Sequence, residues 1–127
     1  MYFLGIDLGT SSIKVSVVEA ATQRVVSSVQ YPETETEISS PQVGWAEQDP
    51  ETWWKNTKNA IKKSHATGKY EPKAVSAIGI AYQMHGLVVT DKAGAVLRPS
   101  IIWCDSRAVA WGEKAFEALG KDFTLAH

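Results

Sequence analysis

Residues 2–8 form a short apolar run, Tyr2-Phe3-Leu4-Gly5-Ile6-Asp7-Leu8, closed by Gly9-Thr10-Ser11-Ser12. After it Ile13, Val15 and Val17 alternate with Lys14 and Ser16, the period of two that a half-buried strand requires. The pattern predicts two strands joined by a tight turn. A third strand is predicted over 24–31, where Val25, Val26 and Val29 are β-branched and Pro32 ends the run. Three successive strands with short connections should pair antiparallel, as a meander.

Residues 33–48 carry no period and read as loop. Asp49-Pro50 then supplies an N-cap and a proline for the first helical position, and Trp53, Trp54, Thr57, Ala60, Ile61 and Ser64 follow at three-to-four spacing. This predicts a helix ending near Gly68. Residues 74–82 are small and apolar on both faces, which predicts a strand covered on both sides, as at the centre of an α/β sheet. A brief strand at 87–90, a turn at 91–94 and a strand at 100–103 are expected next. Asp105 is placed to cap a last helix that carries Ala108, Trp111, Ala115, Phe116 and Leu119 on one face and ends at Gly120. Three strands, a helix, strands and a helix make an α/β protein. No closing strand follows the last helix, so the domain is expected to be incomplete.

Charge and composition limit the partners. Thirteen basic residues against 14 acidic ones leave a net charge of −1, so no basic surplus exists to attract nucleic acid or an anionic membrane. The longest charge-free stretch, 74–90, contains Ser76, Gln83 and His85 and falls short of the ~20 apolar residues a membrane-spanning helix needs. Asp7 stands where a signal peptide would have its apolar core, and the single cysteine, Cys104, rules out an intramolecular disulfide. A cytoplasmic protein is expected.

Two segments carry candidate chemistry. In Gly5-Ile6-Asp7-Leu8-Gly9-Thr10-Ser11-Ser12-Ile13-Lys14, a turn of small and hydroxyl residues lets backbone N–H groups approach phosphate oxygens. The carboxylate of Asp7 can hold Mg²⁺ and Lys14 can neutralise terminal phosphate charge. The same residues also suit a plain hairpin turn. Neither the P-loop pattern nor the dinucleotide G-x-G-x-x-G is present. The second segment, Tyr82-Gln83-Met84-His85-Gly86, lies at the carboxyl end of a predicted strand, where open α/β sheets bind ligands and where amide and imidazole groups can hydrogen-bond several sugar hydroxyls. A histidine bonded to a neighbouring carbonyl is the competing reading. Asp105 and Arg107 suit a helix cap better than a general base and phosphate clamp, and Trp45, Trp53 and Trp54 read as packing, since no basic residues interleave them for base stacking.

The hairpin resembles the phosphate hairpin of the actin, Hsp70 and sugar-kinase superfamily. More narrowly, Gln83-Met84-His85-Gly86, together with Gly44-Trp45-Ala46-Glu47-Gln48-Asp49-Pro50, Trp53-Trp54 and the run from Leu97 through Trp103-Cys104-Asp105-Ser106-Arg107, resembles the N-terminal portion of FGGY carbohydrate kinases of the xylulokinase type. That resemblance implies a ribonuclease H-like (actin-like ATPase) α/β fold, with 1–127 forming the N-terminal part of the first, sugar-binding domain and the second domain absent. It also implies transfer of the ATP γ-phosphoryl group to a sugar, D-xylulose first and gluconate next. By the same resemblance Asp7 would hold Mg²⁺, Gly9, Thr10, Ser11 and Lys14 would face the phosphates of ATP, and Met84, His85 and Trp103 would contact the sugar. No catalytic base is expected within these residues, so the chain alone should be inactive. A non-catalytic nucleotide-binding module and a stand-alone sugar-binding piece are the alternatives. An unpaired sheet edge left by an incomplete sheet offers a route to a homodimer.

Overall fold

The computed structural model describes residues 1–126. The meander forms as expected. Strands β1 (Tyr2–Leu8), β2 (Ile13–Glu19) and β3 (Arg24–Tyr31) pair antiparallel in sequence order, with Asp7 opposite Lys14 and Leu8 opposite Ile13 at the first turn. Alternation sends Leu4 and Ile6 of β1 and Ile13, Val15 and Val17 of β2 to one face, where all five are buried with Ala60 and Tyr70. Each of these aliphatic side chains contributes about 1.5–3 kcal/mol by leaving water.

The residues from 33 onward include β4 (Glu47–Gln48), a two-residue strand inside what the pattern reads as loop. Helix α1 (Pro50–Ala66) begins as its sequence dictates: the Asp49 side chain accepts the Glu51 N–H at 2.9 Å and Pro50 fills the first turn. Gly68, at φ +65°, turns the chain away after the last helical residues. The helix lies against β2 and β3. Buried on it, the Ser64 hydroxyl meets Ser27 Oγ at 3.0 Å and receives the Tyr70 hydroxyl at 3.2 Å, so these polar groups satisfy one another inside the core.

After a single 3₁₀ turn, β5 (Val75–Tyr82) runs parallel to β1 and completes a sheet of order β3-β2-β1-β5. The sequence predicts this strand to be covered on both sides, and the structure overturns that. From Ser76 to Tyr82 every residue is exposed, because α1 covers β2 and β3 and leaves β5 at the sheet edge. Ile78 and Ile80 instead border an open apolar groove of about 410 Å³ shared with Trp53, Trp54 and Ile61.

Three further expectations change. Residues 87–90 form no strand: Leu87 and Thr90 make only isolated bridges, to Ile101 and Val96, around the Asp91 turn. In that turn the Asp91 carboxylate accepts the N–H groups of Ala93 and Ala95, as a turn-forming aspartate should. The predicted strand over 100–103 shrinks to β6 (Ser100–Ile101), paired antiparallel with β4. The helix predicted last forms as α2 (Val109–Leu119), starts at Ala108 without a side-chain cap, and has no buried residue. Gly120 (φ +81°) separates it from α3 (Lys121–Ala126). The amphipathic spacing of α2 is present, but nothing among the described residues covers its apolar face.

Candidate functional site

Because β1 and β5 are parallel, the residues that follow them emerge at the same end of the sheet. The β1–β5 ladder continues one step beyond Tyr82, with Gln83 N–H donating to the Leu8 carbonyl at 2.9 Å. This brings the Tyr82-Gln83-Met84-His85-Gly86 segment beside the β1–β2 turn. A Cβ on Gly9 would stand 2.9 Å from the Ser12 carbonyl oxygen, so the turn is closed tightly enough that glycine is required. Its backbone is thereby left open to an approaching ligand.

Thr10 is the junction of this end. Its hydroxyl donates to Gln83 Oε1 at 2.8 Å and accepts the Trp103 indole N–H at 3.0 Å. Its carbonyl accepts from Gln48 Nε2 at 2.9 Å. Gln48 is buried in β4, also donates to the Glu37 carbonyl at 3.2 Å, and receives the Trp53 indole N–H at 3.0 Å. The loop, the helix α1 and the β1–β2 turn are thus fastened through one side chain. Gln48 is the participant that residue spacing does not single out, and for Gln83, which lies in the candidate segment at the strand end, spacing does not show its link to Thr10. A glutamine at a strand end carries no periodic signal, and its partner Thr10 is 73 positions away from Gln83.

Asp7 and Lys14 face each other across the hairpin at 3.7 Å, both side chains more than half exposed. Such a pair contributes little to stability, so both groups are available to a ligand. Ser11 follows on the same turn, exposed. His85 lines a cleft of about 280 Å³ with Leu8, Trp53, Tyr82, Gln83 and Gly86. Its φ of +60° is uncommon for a non-glycine residue. Met84 is exposed beside it and is not part of the cleft wall. Trp103 lies just beyond β6, 59% exposed, with its N–H tied to Thr10 and its ring free. It is therefore not a core residue on a buried strand.

Asp105 and Arg107 do not cap α2. Asp105 accepts the Ala46 N–H at 2.7 Å and the Arg107 N–H at 2.8 Å, and its carboxylate is gripped by the Arg107 guanidinium at 2.7–2.9 Å. Arg107 also reaches Glu47 at 2.8 Å and lies 3.8 Å over the Trp45 ring, while Arg98 pairs with the same Glu47 carboxylate. The hydrogen bonds from Arg107, aided by those from the two backbone N–H groups and opposed by desolvation, lower the Asp105 pKa to about 2, and the same pairing raises that of Arg107. This cluster locks β4, β6 and the 103–107 turn into one body and so fixes Trp103.

Among the described residues no group of three His, Cys, Asp or Glu side chains could cage a metal ion. A Mg²⁺ ion needs no such cage: it keeps several waters and takes one or two carboxylates plus substrate phosphates. Exposed Asp7, at the mouth of a glycine-closed turn, fits that role. No helix among the described residues is long and apolar enough to cross a membrane.

A glycine-closed hairpin thus lies beside a polar strand end in a four-stranded mixed sheet. Comparison with known proteins identifies the family. The family model described as the N-terminal domain of the FGGY family of carbohydrate kinases matches residues 2–124. The chain belongs to that family. It is 41% identical over 106 residues to a xylulose kinase of Klebsiella pneumoniae, covering 83% of this chain and 20% of that protein. It is 38% identical over 125 residues to a xylulose kinase of Staphylococcus xylosus, covering 98% and 24%. Among solved structures, a "xyloylose kinase" from Brucella ovis superposes with a TM-score of 0.79 at 37% identity, covering 94% of this chain and 25% of that one. The fold is therefore the actin-like, ribonuclease H-like one of these kinases, present as part of a domain. The chain spans about a fifth to a quarter of the length of the relatives it matches.

Proposed function

We propose that the protein to which this chain belongs transfers the γ-phosphoryl group of ATP to a hydroxyl of D-xylulose, giving D-xylulose 5-phosphate, in the cytoplasm. In this reading residues 1–127 are the N-terminal part of the first, sugar-binding domain. The observation that carries it is the convergence of the Gly9–Thr10 turn, the His85 cleft and Trp103 at one end of the sheet.

Phosphoryl transfer demands mostly positioning and charge stabilisation. The N–H groups and hydroxyls of Gly9, Thr10 and Ser11 face the phosphate oxygens, and Lys14 offsets the terminal negative charge. Asp7 would hold Mg²⁺ or its water shell, and that ion supplies charge neutralisation on the phosphates. His85 and Met84 contact the ketose, and the exposed face of Trp103 lies against its C–H bonds. The proton of the attacking hydroxyl needs a carboxylate base with a pKa nearer neutrality than that of Asp105, which is ion-paired and held at about 2. That base, and most of the adenosine pocket, belong to other segments of the protein. The isolated 127-residue chain is accordingly expected to be inactive.

The test is a coupled ADP-release assay on the full-length protein with D-xylulose, gluconate and glycerol. D-Xylulose should turn over best, and His85→Ala should raise its KM by about tenfold, the equivalent of ~1.4 kcal/mol, with little change in the KM for ATP. Turnover on gluconate alone would reassign the acceptor. ATP binding with no sugar turned over would instead identify a nucleotide-binding module.

A further inference from the structure

Trp53 stands between two cavities. It lines the His85 cleft of about 280 Å³ beside Gln83 and Val88, and it lines the apolar groove of about 410 Å³ beside Trp54, Ile78 and Ile80. Leu8 and Trp53 are the residues common to both, so their side chains form the wall between cleft and groove. The wall is held in place. Trp53 lies in the first turn of α1, which Asp49 caps, and its indole N–H donates to Gln48 Oε1 at 3.0 Å. Gln48 is itself buried, with Nε2 donating to the Thr10 and Glu37 carbonyls at 2.9 and 3.2 Å. An indole has that one donor and no acceptor, so what Trp53 offers the cleft is apolar ring. The polar side chains of the cleft are those of Tyr82, Gln83 and His85.

We infer that Trp53 is a specificity-determining residue that sets the length of sugar the cleft admits. The inference rests on the sugar-kinase reading and adds to it the group that measures the acceptor. A ketose with hydroxyls bonded to His85 lays C–H bonds against the indole, and one carbon more drives it into a ring that cannot turn aside without losing its bond to Gln48. Closely packed groups yield to an extra carbon only at a cost. Behind the ring lies the open groove, so the space a longer acceptor needs exists, and the indole closes it off. Removing the ring joins cleft to groove. A single carbon against such a wall changes the preference between two substrates by about 10- to 200-fold.

The experiment measures kcat/KM on the full-length protein for D-xylulose and for the six-carbon ketose D-fructose, by ADP release, and compares their ratio between variants. Because both sugars are measured on the same sample, the ratio cancels any loss of folded protein. The wild-type protein should favour D-xylulose by at least about tenfold. Trp53→Ala should lower that ratio by about tenfold or more, with the KM for D-fructose falling and that for D-xylulose rising. Trp53→Phe keeps a ring in the wall without the bond to Gln48 and should retain a ratio between the two. Trp54→Ala is the control: Trp54 borders the groove but not the cleft, so its loss should leave the ratio at the wild-type value. If Trp53→Ala does not fold, Trp53→Leu, apolar and smaller than the indole, decides. An unchanged ratio in the folded Trp53 variant, or an equal fall in Trp54→Ala, overturns the inference even when D-xylulose is phosphorylated normally. Absence of any sugar phosphorylation by the wild-type protein overturns the functional reading, and the role of Trp53 falls with it.

Discussion

Gln48→Leu removes the side chain that ties the β1–β2 turn to the loop and to α1, while keeping an apolar group of similar volume at a position only 3% exposed. Three hydrogen bonds disappear: to the Thr10 carbonyl at 2.9 Å, to the Glu37 carbonyl at 3.2 Å, and from the Trp53 indole at 3.0 Å. At about 1 kcal/mol for each net bond, the loss is about 3 kcal/mol. Because leucine fills the space, the cavity contribution that accompanies large-to-small changes is small. Urea unfolding of the 127-residue chain, followed by tryptophan fluorescence, should show a lower midpoint at unchanged m, and thermal unfolding should move down by about 10 °C. A change below about 1 kcal/mol would mean that water replaces Gln48 at no loss. The account of how the turn is held would then be wrong.

Ile13→Ala, at a position 1% exposed directly after the turn, should destabilise the chain by about 2–5 kcal/mol in the same unfolding assay, and a smaller effect would place Ile13 outside the core. Asp105→Asn should be less stable than wild type near neutral pH. The folded-state pKa of Asp105 is depressed from 3.8 to about 2 by its bonds to Arg107, so the carboxylate's contribution is present above its unfolded-state value and lost as pH falls toward 2. The gap between the two proteins should therefore close on acidification across that window, and a gap independent of pH would refute the assignment. Ile80→Lys, on the open edge strand β5, should lower self-association of the isolated chain in sedimentation velocity, since lysine on an edge discourages strand-to-strand pairing. A wild-type chain that stays monomeric at all concentrations would contradict that expectation.

Local patterns anticipated local structure. The alternation of Ile13, Val15 and Val17, the Asp49-Pro50 start and Gly68 each act within a few residues, and each element forms where they indicate. Local pattern falls short where the outcome depends on a distant neighbour. The small apolar residues of β5 register a need for cover, but not that α1 sits over β2 and β3 instead. Asp105 suits a helix cap by type, yet Ala46, 59 positions earlier, offers it a buried N–H, and Arg107 completes the site. The candidate site divides in the same way. Gly9, Thr10, His85 and Trp103 carried a signal in their type or motif, and the structure brings them to one end of the sheet. Gln83 and Gln48 stood in the same motifs, but that they join these residues was not legible, because a hydrogen bond across the fold leaves no period in the chain.

The most direct measurement is calorimetric titration of MgATP into the full-length protein beside its Asp7→Ala and Lys14→Ala variants. The wild-type protein should bind, and both variants should lose at least about tenfold in affinity, ~1.4 kcal/mol, because in the proposed function each removes a charge that would face the phosphates or their magnesium. No binding by the wild-type protein, or equal binding by all three, would mean that the hairpin merely reverses the chain.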